Sequence, residues 1–180
     1  MYIKRSITEI LKKRAKNSRC LLLTGPRQVG KSTLLKEIYS DVKYYTFDDK
    51  VLLTSALEDP KLFLKNAAKP SIFDEVQYAK ELFPYIKIEC DKENRYENYY
   101  LTGSQQMKLM DKAKESLAGR VRILELQGLS MREINDISFN KHFVPTEEYI
   151  AAREKEVKPD RKSTRLNSSH VALSRMPSSA

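Results

Sequence analysis

Apolar positions recur along this chain with two different periods. Ile3, Ile7, Ile10 and Leu11 share one helical face, with Lys12, Lys13 and Lys16 on the opposite side. Ser6-Ile7-Thr8-Glu9 has the form of a capping box at the start of that pattern, so the spacing predicts an amphipathic helix within residues 1–18. Beyond it the apolar runs become short. Leu21-Leu22-Leu23, Tyr44-Tyr45-Thr46-Phe47, Ile72-Phe73, Tyr99-Tyr100-Leu101 and Val121–Leu126 are too short for helices and are read as five strands. Between them, helical patterns are expected from Thr33, over Val51–Leu57 and Pro60–Ala67 with Asp49 and Asp59 as N-caps, over Leu82–Cys90, and from Gln105 to Lys112. Ser130 is placed as the cap of a helix over Met131–Ile137. Strands alternating with helices predict an α/β fold.

Chemistry enters where the first strand meets its helix. Gly25-Pro26-Arg27-Gln28-Val29-Gly30-Lys31-Ser32 has the spacing of a phosphate-binding loop in the context that loop requires, strand before and helix after. The two glycines let the backbone take positive φ and turn its N–H groups toward phosphate oxygens. The positive end of the helix dipole favours an anion at the same place. Lys31 then reaches the β- and γ-phosphates, and the Ser32 hydroxyl suits Mg²⁺. The candidate nucleotide-binding residues are Gly25, Pro26, Arg27, Gln28, Val29, Gly30, Lys31, Ser32 and Thr33. Arg27 is open to two readings, a further phosphate contact or a surface residue.

The third strand runs into Asp74-Glu75, and the fourth into Thr102-Gly103-Ser104. An acidic residue at the end of a strand neighbouring a phosphate loop holds Mg²⁺, which is the role expected of Asp74. Adjacent residues of an extended chain point in different directions, leaving Glu75 to orient and deprotonate an attacking water. A hydroxyl from Thr102 or Ser104 would lie level with Asp74 and sense the γ-phosphate. The aromatic cluster of the second strand is read as core in preference to a base-stacking platform.

The net charge of +9 suggests nucleic acid until its distribution is considered. Residues 1–20 carry +6 and residues 160–180 carry +3, so everything between is neutral. Any basic patch is confined to the two ends. Cys20 and Cys90 lack metal-ligand spacing and are expected to be buried thiols. No run approaches the ~18 apolar residues of a membrane span, and without an apolar leader the expected location is cytoplasmic.

Four motifs occur together: Gly25–Ser32, Phe73-Asp74-Glu75-Val76-Gln77, Leu101-Thr102-Gly103-Ser104 and Ser116-Leu117-Ala118-Gly119-Arg120. In this order they resemble a family of prokaryotic AAA-type P-loop ATPases, whose members usually carry a further C-terminal domain. The resemblance spans about residues 2–134. It implies a P-loop NTPase three-layer sandwich with a parallel five-stranded sheet, the fourth strand inserted between the first and third. It implies ATP and Mg²⁺ as cofactors, with Lys31 and Ser32 on phosphate and metal. Asp74 would be the Walker B metal residue, Glu75 the catalytic base, and Thr102 and Ser104 the sensor position. Arg120 matches the family's Ala-Gly-Arg arginine; it is an arginine finger supplied in trans, hence a route to self-association, or a structural or cis residue.

The expected organisation is a basic helix over 1–18, an ATPase core over 19–137 and the start of a linker or lid over 138–159. Residues 160–180 change abruptly to a Ser/Arg-rich composition. Asp160–His170 and Ser174–Ala180 read as translated sequencing-library adapter, so this tail is expected to be disordered and His170 is set aside. Three functions remain in play: Mg-dependent ATP hydrolysis used as a conformational switch, a nucleic-acid-associated regulator tuned by ATP, and a small-molecule kinase. The Asp-Glu pair favours the first.

Overall fold

The computed structural model describes residues 2–93, 95–104, 107–137, 144 and 146–156. Of the described residues, those within 5–128 form one compact unit, and those within 2–4 and 129–156 fall in a second. The adapter-like tail, residues 138–143, 145 and 157–159 of the expected linker, and Gln105 and Gln106 at the expected start of the sixth helix lie outside the described residues.

In the first unit five strands make one sheet: β1 (Cys20–Thr24), β2 (Lys43–Thr46), β3 (Ser71–Asp74), β4 (Tyr99–Thr102) and β5 (Val121–Glu125). Their order is β2-β3-β4-β1-β5, with every pairing parallel. The fourth strand therefore does lie between the first and third. Such a sheet needs cover on both faces, and the pleat supplies an apolar residue to each. Cys20, Leu22, Phe73, Tyr99 and Leu101 face one cluster; Leu21, Leu23, Ile72 and Tyr100 face the other.

Helices α1 (Thr8–Lys16) and α2 (Lys31–Ile38) contribute Leu11, Ala15, Leu34 and Leu35 to the second face. Helices α3 (Lys50–Glu58), α4 (Pro60–Asn66), α5 (Leu82–Lys92) and α6 (Met107–Ser116) contribute Ala56, Phe63, Leu64, Phe83, Ile86 and Ala113 to the first. The result is a three-layer sandwich. Tyr45, Phe47, Phe63, Phe73 and Tyr99 meet with ring centroids 5.5–6.1 Å apart, which makes most of the second strand's aromatics core.

The two aspartate caps form as their positions dictate. Asp49 accepts from Val51 N at 2.8 Å and Asp59 from Leu62 N at 2.9 Å, with Pro60 opening α4. The start of α1 differs from expectation. Its N-cap is Ile7, in helical conformation and without a side-chain cap bond, so Ser6 does not hold that position. Thr8 Oγ1 donates to Arg5 O instead, at 2.7 Å.

Within the second unit, α7 (Met131–Ile134) has a complete capping box between Ser130 and Glu133. It ends three residues short of Ile137, at a turn where Asp136 takes φ 49°. Helix α8 (Glu147–Glu156) falls within the expected linker.

Candidate functional site

The loop after β1 is shaped by three residues with positive φ: Gly25 at 145°, Gln28 at 63° and Gly30 at 89°. Gly25 is also sterically required. A Cβ built there would lie 2.1 Å from the carbonyl oxygen of Leu126, where the chain leaves β5. Gly30 is the N-cap of α2, so the first N–H groups of that helix open toward the loop. Pro26, Arg27, Gln28 and Thr33 are exposed, Val29, Gly30 and Ser32 are half-buried, and Lys31 is buried.

The Lys31 ammonium donates to Gly25 O at 3.2 Å and Pro26 O at 2.8 Å, inside its own loop. Burial pulls its pKa below the ordinary lysine value. Glu75 and then Asp74 act in the opposite direction, while the positive charge of Arg27 adds to the lowering. Both carboxylates are thus electrostatically close to the lysine, although strands β1 and β3 are separated by β4.

Asp74 is the hub. It ends β3, is buried, and points to the α2 side because Ile72, two residues earlier, does so. Ser32 Oγ donates to its Oδ1 at 2.7 Å, and the Thr102 hydroxyl donates to the same oxygen. Tyr44 Oη donates to Oδ2 at 2.5 Å. The phenol itself is held well above its ordinary pKa, first by burial and then by that bond. One carboxylate is therefore fixed by hydroxyls from α2, β4 and β2.

Glu75 follows in a left-handed conformation, φ 58° and ψ 43°. This region is costly for a residue with a side chain and clusters at functional sites. Its N–H donates to Thr102 Oγ1 at 3.3 Å. Its carboxylate accepts from the Gln77 amide, and Gln77 Oε1 accepts from Ser104 N at 3.2 Å. Ser104 Oγ is buried and finds no hydrogen-bond partner among the described residues.

Lys31, Ser32, Asp74, Glu75, Thr102 and Ser104 thus meet at the C-terminal ends of β1, β3 and β4. Arg120 does not join them. It precedes β5, whose first residue pairs with Cys20 at the start of β1. It therefore sits at the opposite end of the sheet, roughly 13 Å away along a five-residue strand. Its Nε and second terminal nitrogen donate to the two oxygens of Asp91 at 2.9 and 3.1 Å, and the pair lowers the Asp91 pKa and raises that of Arg120. Within one chain it has a structural place and no route to the loop.

Two residues beside the loop are invisible to motif reasoning. Tyr44 reads as one more strand aromatic. In the sequence Arg5 registers only through the basic charge of residues 1–20, yet it is buried and donates to Val29 O at 2.8 Å and Gln127 O at 2.6 Å, tying the loop to the exit of β5.

The donor chemistry fits a nucleotide-borne Mg²⁺. That ion takes few protein ligands and prefers hard oxygens; a hydroxyl and a carboxylate oxygen 2.7 Å apart supply them. Among the described residues no cluster of three or more His, Cys, Asp or Glu forms an all-protein metal cage, and no helix is long and apolar enough to cross a membrane.

The chain is 36% identical over 115 residues to two uncharacterised mycobacterial proteins, Mb2031c of Mycobacterium bovis and Rv2008c of Mycobacterium tuberculosis. Each match covers 63% of this chain and 26% of the relative, so the chain spans about a quarter of their length. Among solved structures it is similar to a signal transduction ATPase with numerous domains, bearing a tetratricopeptide repeat sensor, from Pyrococcus horikoshii. That similarity has a TM-score of 0.46 at 13% identity, covering 86% of this chain and 28% of the other. An AAA domain model matches residues 17–135, which include the loop, the hub carboxylate and all five strands. The chain belongs to the AAA domain family of P-loop ATPases.

Proposed function

We propose that this domain binds Mg·ATP and hydrolyses it, and that the change of bound nucleotide serves as a conformational switch. The observation that carries this reading is the bond between Ser32 and Asp74, which joins the phosphate loop to the strand-end carboxylate. Ser32 Oγ and Asp74 would hold Mg²⁺. When bound, the ion neutralises phosphate oxygens and polarises the phosphoryl group.

The remaining work falls to the chain's own groups. The N–H groups at the start of α2 bind phosphate oxygens, and Lys31 exchanges its loop carbonyls for a phosphate. Glu75 orients a water and accepts its proton, held in place through Thr102 below and Gln77 beside it. Ser104, with its buried hydroxyl, stands at the sensor position. Arg120 would act only on a neighbouring copy, after release from Asp91.

The basic side of α1 supports a second reading, nucleic-acid binding tuned by ATP, because Lys12, Lys13 and Lys16 are all exposed. Binding through phosphate contacts would weaken steeply with salt. The hydrolytic reading is tested by phosphate release from Mg·ATP by the full chain and by Glu75→Gln. Turnover should fall by about 10²–10⁴-fold with nucleotide binding retained, as for loss of a general base. Equal turnover in both proteins would refute it.

A further inference from the structure

Asp74 has two carboxylate oxygens, and the chain treats them differently. Oδ1 faces Ser32 and Thr102, the groups of the loop and the sensor strand. Oδ2 is taken by Tyr44 Oη at 2.5 Å. The phenol reaches it because β2 pairs with β3 in the register Tyr44↔Ile72 and Thr46↔Asp74, so Tyr44 projects on the same face as Asp74.

The ring itself is held on two sides. It packs against the apolar cluster that contains Ile72, Leu34 and Leu35, and Lys36 Nζ lies 3.5 Å from its centroid. Lys36 is carried by α2, the helix that begins with Lys31 and Ser32. Tyr44 is therefore braced by the same helix that presents the loop. A hydroxyl so placed does more than fill space: it reserves one oxygen of the carboxylate and fixes the rotation of the other.

We propose that Tyr44 is a positioning residue that makes Asp74 a one-oxygen partner and so sets the site's preference for Mg²⁺ over Ca²⁺. The inference rests on the Mg-nucleotide reading of the site. Mg²⁺ demands compact octahedral geometry and uses carboxylates sparingly, whereas Ca²⁺ is larger and readily takes both oxygens of one carboxylate. With Oδ2 held by the phenol, bidentate coordination is closed. Without the hydroxyl Asp74 can rotate and offer both oxygens, which weakens Mg²⁺ and admits Ca²⁺.

The test uses the full chain and Tyr44→Phe, which keeps the ring, its packing and Lys36. Thermal unfolding is followed with a fixed concentration of ADP while Mg²⁺ or Ca²⁺ is titrated, a readout that needs no turnover. In Tyr44→Phe the Mg²⁺ concentration at half-effect should rise about tenfold, the usual scale for loss of a group orienting a metal ligand. The half-effect for Ca²⁺ should stay or fall, so that the ratio between the ions narrows. Lys36→Ala, which retains the hydroxyl but loosens the ring, should move the ratio in the same direction by less. A purely structural tyrosine would lower the unfolding midpoint without changing that ratio. An unchanged Mg²⁺-to-Ca²⁺ ratio in both folded variants overturns the inference alone. A parent chain whose stability does not respond to ADP with either ion overturns it together with the reading of the site.

Discussion

Ser32 and Asp74 lie 42 residues apart in sequence, and 2.7 Å separates the Ser32 hydroxyl from Asp74 Oδ1. The contact requires that β3 and the start of α2 end at the same level, although β4 stands between β1 and β3. Insertion of the fourth strand therefore does not separate the phosphate loop from its carboxylate. It places Thr102 between them, where one hydroxyl accepts from Glu75 N and donates to Asp74.

Gly25→Ala should damage the loop more than its small size suggests. The new methyl would meet Leu126 O at 2.1 Å, and φ 145° suits glycine. Backbone strain alone costs ~1–3 kcal/mol, to which the clash adds. Chemical denaturation should show a loss of at least that size, and nucleotide binding should fall with it. Gly30→Ala, with open space around its Cβ but φ 89°, should cost less.

Lys31 gives the site a pH dependence with a defined sign. Burial holds the pKa of its ammonium below 10.5 in the free domain, whereas a bound phosphate favours the charged form. Nucleotide affinity should therefore be full below the lowered value and decline as pH rises through it toward 10.5. Stability of the free domain moves the other way. A base lowered on folding imposes a penalty that is complete at neutral pH and relieved as pH rises through the same window. Titration calorimetry from pH 7 upward checks the first statement, and Lys31→Arg, charged throughout, should flatten the profile.

Much of this architecture is legible before any coordinates. Gly25, Gly30, Lys31 and Ser32 declare themselves through spacing, and Asp49 and Asp59 through their place before apolar helical runs. What cannot be read is anything that depends on register between distant strands. Tyr44 belongs to the site because it faces the Asp74 side of β3, and nothing in Lys43-Tyr44-Tyr45-Thr46 says which tyrosine that is. Tyr45, its neighbour, turns to the opposite face and packs on Phe63 and Phe73. Arg5 is hidden for a similar reason, since its partners Val29 and Gln127 come from far along the chain. Ser6 shows the reverse case: its local capping signal is overridden where the helix docks through Ile7 and Leu11.

Arg120→Ala should leave the dissociation constant for Mg·ATP within about two-fold, because sites this far apart rarely couple. Its guanidinium belongs to Asp91 and the Ala118 carbonyl at the other end of the sheet. An effect on turnover that appears only at high protein concentration would assign it to a neighbouring copy. A comparable loss of affinity in dilute protein would contradict its placement here.

The most direct test is thermal unfolding of the full chain with Mg·ATP, beside Lys31→Ala. At about a hundred times its Kd the ligand should stabilise the parent by ~2.7 kcal/mol, and the variant should show little or none of that gain. A parent that unfolds cooperatively with no response to Mg·ATP, or a Lys31→Ala variant that responds equally, would contradict a nucleotide site at this loop.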